Sequence, residues 1–480
     1  MDVKDITIGP QNSIKDALQL LDKTGAGTLF VTDEDNVILG IITDGDIRRA
    51  LLNDALLDSK IRIVMNRNFI SLPIGTENSI VLNKITDSVK IIPLVDAENR
   101  LIDFASINKI RRISVASPVL TGNELAYVTD CIKTNWISSQ GKYVRQFEEM
   151  FTAYHRGNKS LAVSNGTVAL HLALEALGVG IGDEVIVPDL TFAASVNAIL
   201  YTGATPVLVD IDPYTWNIDV DKAVKAVTTR TKAIMPVHLY GHPCDMDKID
   251  ALAKKHNLLI VEDCAEALGS YYKDQPVGMF GDASTFSFFG NKTITTGEGG
   301  MIVFKDADVA EKAAMLRDHG MQKNRRYWHA AVGYNYRLTN LQAAIGVAQF
   351  ERLDEFVSAK RKIAKTYNET LGSFPYFQIP AEKLGTTNSY WLYTCMVRPN
   401  SPFTRDDLIN YLNQHGIETR PVFFPMHIMP PYINFGQAST LQTSLNVSKC
   451  GISLPTSVSL TEIELTYICK TISTFVASFN

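Results

Sequence analysis

The chain has 480 residues, a net charge of -5, and 46% hydrophobic against 20% charged residues. That balance suits two or three globular domains with a large core, and the charge excludes general attraction to nucleic acid or anionic membranes. No run approaches eighteen apolar residues and no basic-then-apolar leader opens the chain, so a cytoplasmic protein is expected. The six cysteines, at 131, 244, 264, 395, 450 and 469, lack CxxC spacing. They predict reduced thiols, with no disulfide frame and no metal site.

Residues 1–113 are the first predicted domain. Thr32-Asp-Glu-Asp-Asn-Val-Ile-Leu-Gly-Ile-Ile-Thr-Asp-Gly-Asp-Ile47 aligns without gaps to residues 95–110, and Asn12-Ser-Ile14 to Asn78-Ser-Ile80. Each copy reads as helix, strand, turn, strand and helix, and two such copies cover each other's apolar faces. The segment resembles a CBS-domain pair, chiefly through Gly40-Ile-Ile-Thr-Asp-Gly-Asp46. The resemblance implies that Thr43 and Asp46 hold the phosphate and ribose of a nucleotide. The second copy keeps a hydroxyl at Ser106 but has Lys109 for the aspartate and Asp103 for the glycine. A regulatory and a dimerising role are both open.

Residues 114–360 alternate strand, turn and helix, which predicts an α/β domain with a mostly parallel sheet. Predicted strands are Leu161–Val163, Glu184–Val187, Thr205–Val209, Ala233–Val237 and Leu258–Val261; helices are predicted over Val168–Leu177 and from near Phe192. A ligand site belongs at the carboxyl ends of such strands. Residues 361–480 are predicted to be a smaller α+β domain opened by a long helix.

Lys292 stands between Phe286-Ser-Phe-Phe-Gly-Asn and Thr-Ile-Thr-Thr-Gly-Glu-Gly-Gly300, among aromatics, threonine and glycine rather than other charges. That setting suits a lysine that leaves solvent to form a Schiff base. Asp263 ends the apolar run Leu258-Leu-Ile-Val-Glu-Asp263. A Schiff-base lysine plus a carboxylate for a pyridinium nitrogen is the minimum equipment for pyridoxal phosphate chemistry. Gly166 and Thr167 follow a strand and open a helix, where free N–H groups bind anions. With Ser287 they form a candidate phosphate cradle. Phe192 can stack on a planar ring, and Glu266 can reach the ring's hydroxyl or its solvent side. Cys264 reads as a small buried residue.

Residues from about 115 to 480 resemble the DegT/DnrJ/EryC1/StrS sugar aminotransferases. The resemblance runs through Ile137-Ser-Ser-Gln-Gly141, Ser164-Asn-Gly-Thr167, Thr191-Phe-Ala-Ala194, His238-Leu-Tyr-Gly241, Glu262-Asp-Cys-Ala-Glu-Ala267, Thr295-Thr-Gly-Glu-Gly-Gly300 and Gly333-Tyr-Asn-Tyr-Arg337. It implies the fold-type I architecture of pyridoxal phosphate enzymes, with Lys292 as the cofactor lysine and Asp263 as the pyridinium partner. It further implies that Asn335 reaches the cofactor phosphate of a neighbouring subunit in a homodimer or tetramer. Many relatives have Gln where Glu266 stands. Glu266, Arg317-Asp-His-Gly-Met321, Arg325-Arg-Tyr-Trp328 and Gly416-Ile-Glu-Thr-Arg-Pro-Val-Phe-Phe-Pro-Met-His427 resemble one subgroup, the GDP-perosamine synthases. That implies a nucleotide-diphosphate keto sugar and glutamate as substrates, for a surface polysaccharide such as O-antigen. Arg325, Tyr327, Trp328, Arg420 and His427 are the candidate substrate contacts. UDP- and dTDP-sugars remain alternatives. A dehydratase on the same fold would have His at position 292. A nucleotide-sensing regulator on an inactive scaffold would not need Lys292, Asp263 and Ser287 together.

Overall fold

The structure is a computed structural model that describes residues 3–76, 80–81, 84–86, 89–106 and 112–479. Asn78, Lys109 and Arg111 lie outside the described residues. The chain falls into two compact units, Met1–Arg112 and Ile113–Asn480.

The first unit holds two three-stranded sheets. One joins β1 (Thr7–Ile8), β2 (Thr28–Thr32) and β3 (Ile38–Thr43); the other joins β4 (Leu72–Pro73), β5 (Ile91–Val95) and β6 (Leu101–Ser106). In each, the first two strands run parallel and the last two form an antiparallel hairpin. The copies agree in detail: Thr28 faces Thr43 as Ile91 faces Ser106. Both hairpins shift register at the matching place, Val31/Thr32 and Leu94/Val95. The internal repeat is therefore a repeat of strand pairing. Phe30 of one copy packs on Phe104 of the other, with ring centroids 6.2 Å apart.

Two helices of this unit start with reciprocal caps. Ser13 and Asp16 cap α1 (Ile14–Thr24); Thr43 and Asp46 cap α2 (Asp44–Leu52). Asp46 Oδ2 accepts from the Thr43 N–H at 3.0 Å and its hydroxyl at 2.7 Å, while Oδ1 meets Arg49 at 2.6 Å. The two residues expected to hold a nucleotide thus also cap the helix together, through Asp46 Oδ2, while among the described residues Oδ1 meets only the exposed Arg49. Thr43→Ala should lower the stability of the unit by about 1 kcal/mol, read as a shift of the denaturant midpoint.

The second unit is built on a seven-stranded sheet. Its strands are β7 (Lys159–Val163), β8 (Glu184–Pro188), β9 (Thr205–Val209), β10 (Thr231–Ile234), β11 (Leu259–Asp263), β12 (Ala283–Ser287) and β13 (Gly300–Phe304). The order is β7-β13-β12-β11-β10-β8-β9. Only β13 runs antiparallel to its neighbours. β10 ends and β11 extends somewhat differently from the predicted runs, but the alternation holds. β8 and β13 are buried along their whole length, as expected of central strands covered on both faces. One face packs against α3 (Gly166–Ala176) and α4 (Ala193–Tyr201); the other packs against a cluster containing Phe147, Phe151, Phe288 and Val347.

A four-stranded antiparallel sheet follows, in the order Phe377–Gln378, Tyr393–Val397, Gly451–Leu454, Arg420–Pro421. The 19-residue helix α5 (Leu353–Leu371) buries Leu353 and Phe356 in the cluster of Phe147 and Phe151, and Ile363, Ala364, Tyr367 and Leu371 in the core of this smaller region. It begins before the expected division at 360/361, which falls inside the helix. Among the described residues no helix is long and apolar enough to cross a membrane.

Candidate active site

The carboxyl ends of β7, β8, β11 and β12 meet around a cavity of about 660 Å³. Asn165, Gly166 and Thr167 follow β7. Thr191 and Phe192 follow β8, Asp263 ends β11 and Ser287 ends β12. Lys292 comes from the loop between β12 and β13, Arg420 from the smaller sheet and Phe423 from the segment just after it. All line the cavity.

The helix after β7 is capped by Asn165 rather than by Gly166-Thr167: its side chain accepts from the Val168 N–H at 3.0 Å. Gly166 and Thr167 are the first two helical residues, whose N–H groups have no partner within a helix. They line the cavity and would meet an anion there with the positive end of the helix dipole. Gly166 is required by packing. A Cβ there would lie 2.8 Å from the Ser287 Cβ, so the helix start and the end of β12 approach as closely as a phosphate cradle needs. Gly166→Ala should push Ser287 aside at about 1–3 kcal/mol, weakening phosphate-dependent cofactor binding tenfold or more, as measured by fluorescence titration with pyridoxal phosphate.

Asp263 is buried. Its Oδ2 accepts from the Ser195 hydroxyl at 2.8 Å and its Oδ1 from the Ala265 N–H at 3.1 Å. Burial raises its pKa, against the lowering effect of Ser195. A cation delivered to this carboxylate, such as a protonated pyridine nitrogen, would reverse that penalty. Ser195 lies one helical turn after Phe192 and was not singled out from sequence; its signal is a hydroxyl on the buried face of an otherwise apolar helix. Phe192 is 59% exposed and leans on Phe423, with centroids 5.8 Å apart. A core aromatic would be buried, so Phe192 is available to a ring in the cavity.

The Lys292 side chain is nearly buried. Its Nζ lies 3.6 Å from Glu266 Oε1 and 3.8 Å from the centre of the Trp391 ring. Burial lowers its pKa, with Glu266 and Asp263 opposing. A lysine held this way has a larger neutral, nucleophilic fraction than one in water. Burial pushes Glu266 up to about 7, with Lys292 pulling it down. Its other oxygen accepts from the Tyr240 N–H at 2.9 Å, and Tyr240 adopts a left-handed φ of 52°. Because Glu266 titrates higher folded than at its ordinary 4.5, its contribution to stability is full below about pH 4.5 and is lost as pH rises through about 7. In the cofactor-free protein, Glu266→Gln should therefore gain on the wild type between pH 5 and 8, by on the order of 3 kcal/mol, measured by denaturant unfolding.

Cys264 is fully buried and its thiol is pushed up to about 12 by burial, which makes it a packing residue. It lies with His238 and Glu262 in a group of metal-ligand type. Both His238 nitrogens are engaged, however: Nδ1 accepts from the Cys244 N–H at 2.9 Å and Nε2 meets Glu262 at 3.1 Å.

Several expected substrate residues, and Asn335, expected at a neighbour's cofactor phosphate, do not line this cavity. His427 is buried off the cavity wall. Its Nδ1 meets Asp189 Oδ2 at 2.7 Å and its N–H donates to Asp189 Oδ1 at 2.9 Å. It fastens the segment after Phe423 to the end of β8. Asn335 is exposed, and its Oδ1 accepts from Arg337 at 3.1 and 3.2 Å. Arg325, Tyr327 and Trp328 are exposed and outside the cavity wall, with Arg325 stacked 3.8 Å over the Trp328 ring. Arg420 does line the cavity, within 3.8 Å of Glu418.

A buried free lysine, a buried carboxylate, an exposed ring and a tight anion cradle fit a phosphorylated pyridine aldehyde. Residues 118–473 match the DegT/DnrJ/EryC1/StrS aminotransferase family, and residues 1–53 match the CBS domain. The chain is 49% identical over 366 residues to a GDP-perosamine synthase of Escherichia coli O157:H7, covering 76% of this chain and 99% of that one. It is 50% identical over 360 residues to a GDP-perosamine synthase of Caulobacter vibrioides, covering 75% and 97%. A Streptococcus pneumoniae protein described as a sugar aminotransferase and solved in its PLP form is 30% identical. It superposes with a TM-score of 0.73 over 77% of this chain and 100% of that one. The chain belongs to the DegT/DnrJ/EryC1/StrS aminotransferase family. It is a sugar aminotransferase that depends on pyridoxal phosphate.

Proposed function

We propose that the enzyme transfers the amino group of glutamate to C4 of GDP-4-keto-6-deoxymannose, forming GDP-perosamine and 2-oxoglutarate for a surface polysaccharide such as O-antigen. The observation that carries the reaction class is Lys292, nearly buried between Glu266 and Trp391 above the end of β11. The sugar is supported by relatives named GDP-perosamine synthase that align over nearly their whole length.

Pyridoxal phosphate, when bound, supplies an electron sink. Gly166, Thr167 and Ser287 would hold its phosphate, Phe192 would stack on its ring and Asp263 would keep its ring nitrogen protonated. Lys292 would hold it covalently. The Lys292 amine, when not bonded to the cofactor, would serve as the base that moves a proton at the substrate carbon bearing the nitrogen. Its depressed proton affinity and buried position suit that role. Arg420 at the cavity wall offers a cation to an anionic substrate group.

The exposed stretch 323–332 and the exposed Asn335 complete a neighbour's site in this reading. Asn335 would reach the cofactor phosphate across the interface, and Arg325, Tyr327 and Trp328 would meet the nucleotide. Mixed dimers of Lys292→Ala and Asn335→Ala chains should then recover about half of wild-type activity, since one of two sites is intact. Mixtures no more active than their parents would place Asn335 in its own site or in none.

The direct test is mass spectrometry of products with pyridoxal phosphate and glutamate. GDP-4-keto-6-deoxymannose should give an amino sugar, its UDP and dTDP 4-keto-6-deoxyglucose counterparts should not, and Lys292→Ala should give none. Turnover of a different sugar would overturn the substrate and leave the reaction class standing.

A further inference from the structure

Helix α5 has a lysine where its apolar stripe should continue. Leu353, Phe356, Ile363, Tyr367 and Leu371 are buried on one face, and Lys360 lies among them with 3% exposure. Taking an ammonium out of water costs several kcal/mol unless it is well paired. Among the described residues no carboxylate pairs with Lys360. Its Nζ instead donates to two backbone carbonyls, Trp391 O at 3.1 Å and Thr456 O at 2.8 Å. Burial brings its pKa down to about 7. A group so costly, on a face that would accept leucine, needs a reason beyond packing.

Trp391 leads from this lysine to the other. Lys360 holds its carbonyl; its indole Nε1 donates to Asn291 O at 2.7 Å; and its ring lies 3.8 Å from the Lys292 Nζ. Asn291 directly precedes Lys292, so one tryptophan fixes both the backbone before the active lysine and the space its amine occupies. The two lysines also line a second cavity of about 20 Å³ together with Asn291, Thr293, Thr295 and Gln349. That is the size of one water, and its walls are polar enough to bind one. Asn291 Oδ1 is buried and has no protein partner.

We propose that Lys360 is a positioning residue for Lys292, anchoring Trp391 so that the ring and the adjoining backbone set the resting place of the active amine. Lys292 is otherwise faced by Glu266 and Asp263, with Arg420 farther off. Across the small cavity, Lys360 faces neutral groups and Lys292. The inference rests on the reading of Lys292 as the cofactor lysine.

The test uses the full-length enzyme loaded with pyridoxal phosphate. It reads the pH midpoint of the visible band of the lysine-bound cofactor, together with kcat and KM. Lys360→Met should move the midpoint by about half a pH unit or more and lower kcat about tenfold, with KM nearly unchanged. Lys360→Arg, which keeps donors for both carbonyls, should recover most of both effects. In a Trp391→Phe background, Lys360→Met should add nothing further. Should Lys360→Met fail to fold by circular dichroism, Lys360→Gln, which retains a donor, takes its place in the same comparison. An unmoved midpoint in a folded variant, or effects that add fully to those of Trp391→Phe, would overturn the proposal. A wild-type enzyme without a borohydride-sensitive band would overturn the cofactor-lysine reading itself, a result that involves no variant.

Discussion

An amine held out of water beside two buried carboxylates is the constraint on which the rest of this structure depends. Lys292, Glu266 and Asp263 are each unfavourable to bury alone; the lysine partly offsets both carboxylates and they it, while Asp263 adds to the cost of ionising Glu266. Keeping them together requires a rigid frame, and the sheet provides it. Asp263 is the last residue of a central strand, Glu266 lies one turn beyond, and Lys292 hangs from the loop joining β12 to β13. Ser195 and the Tyr240 N–H then satisfy the carboxylates from neighbouring segments. The reacting lysine itself hangs from a loop, but that loop is pinned between two strand ends and against Trp391, and fixed supports of this kind give a site its positional precision.

In the proposed reading the same edge would handle the phosphate, ring and substrate ends separately. The phosphate cradle rests on a helix start forced against Ser287 by the absence of a Cβ at Gly166. The ring face is Phe192, left exposed by a strand-to-helix turn. The opposite wall of the cavity is made by Arg420 of the smaller sheet and by Phe423 just after it, in a segment tied to the large sheet through the buried Asp189–His427 pair. His427 therefore acts on the site through the segment it anchors.

Much of this was legible in the sequence because it depends on local pattern. Alternating β and α runs revealed the sheet, and residues at strand ends pointed to the wall of the cavity. The gapless repeat in the first unit foretold a duplicated strand pairing, down to the matching register shifts. What sequence could not place depends on long-range packing. His427 reads as a loop histidine until Asp189, far away in the chain, is brought beside it. Trp391 and Ser195 gain their roles from contacts across more than one element. Lys360 did leave a signal, a charge in phase with the apolar stripe of a long helix, but its partners are carbonyls that no sequence motif marks. Thr43 and Asp46 show the converse: a pattern suited to nucleotide binding is equally a helix cap, and the structure uses it as one.

The most direct test of the account is to locate the covalent bond. Purified enzyme loaded with pyridoxal phosphate would be reduced with borohydride, digested and mapped by mass spectrometry. The account predicts one phosphopyridoxyl group, attached to Lys292. Attachment at Lys360 or another lysine, or no attachment in protein that binds the cofactor, would contradict it.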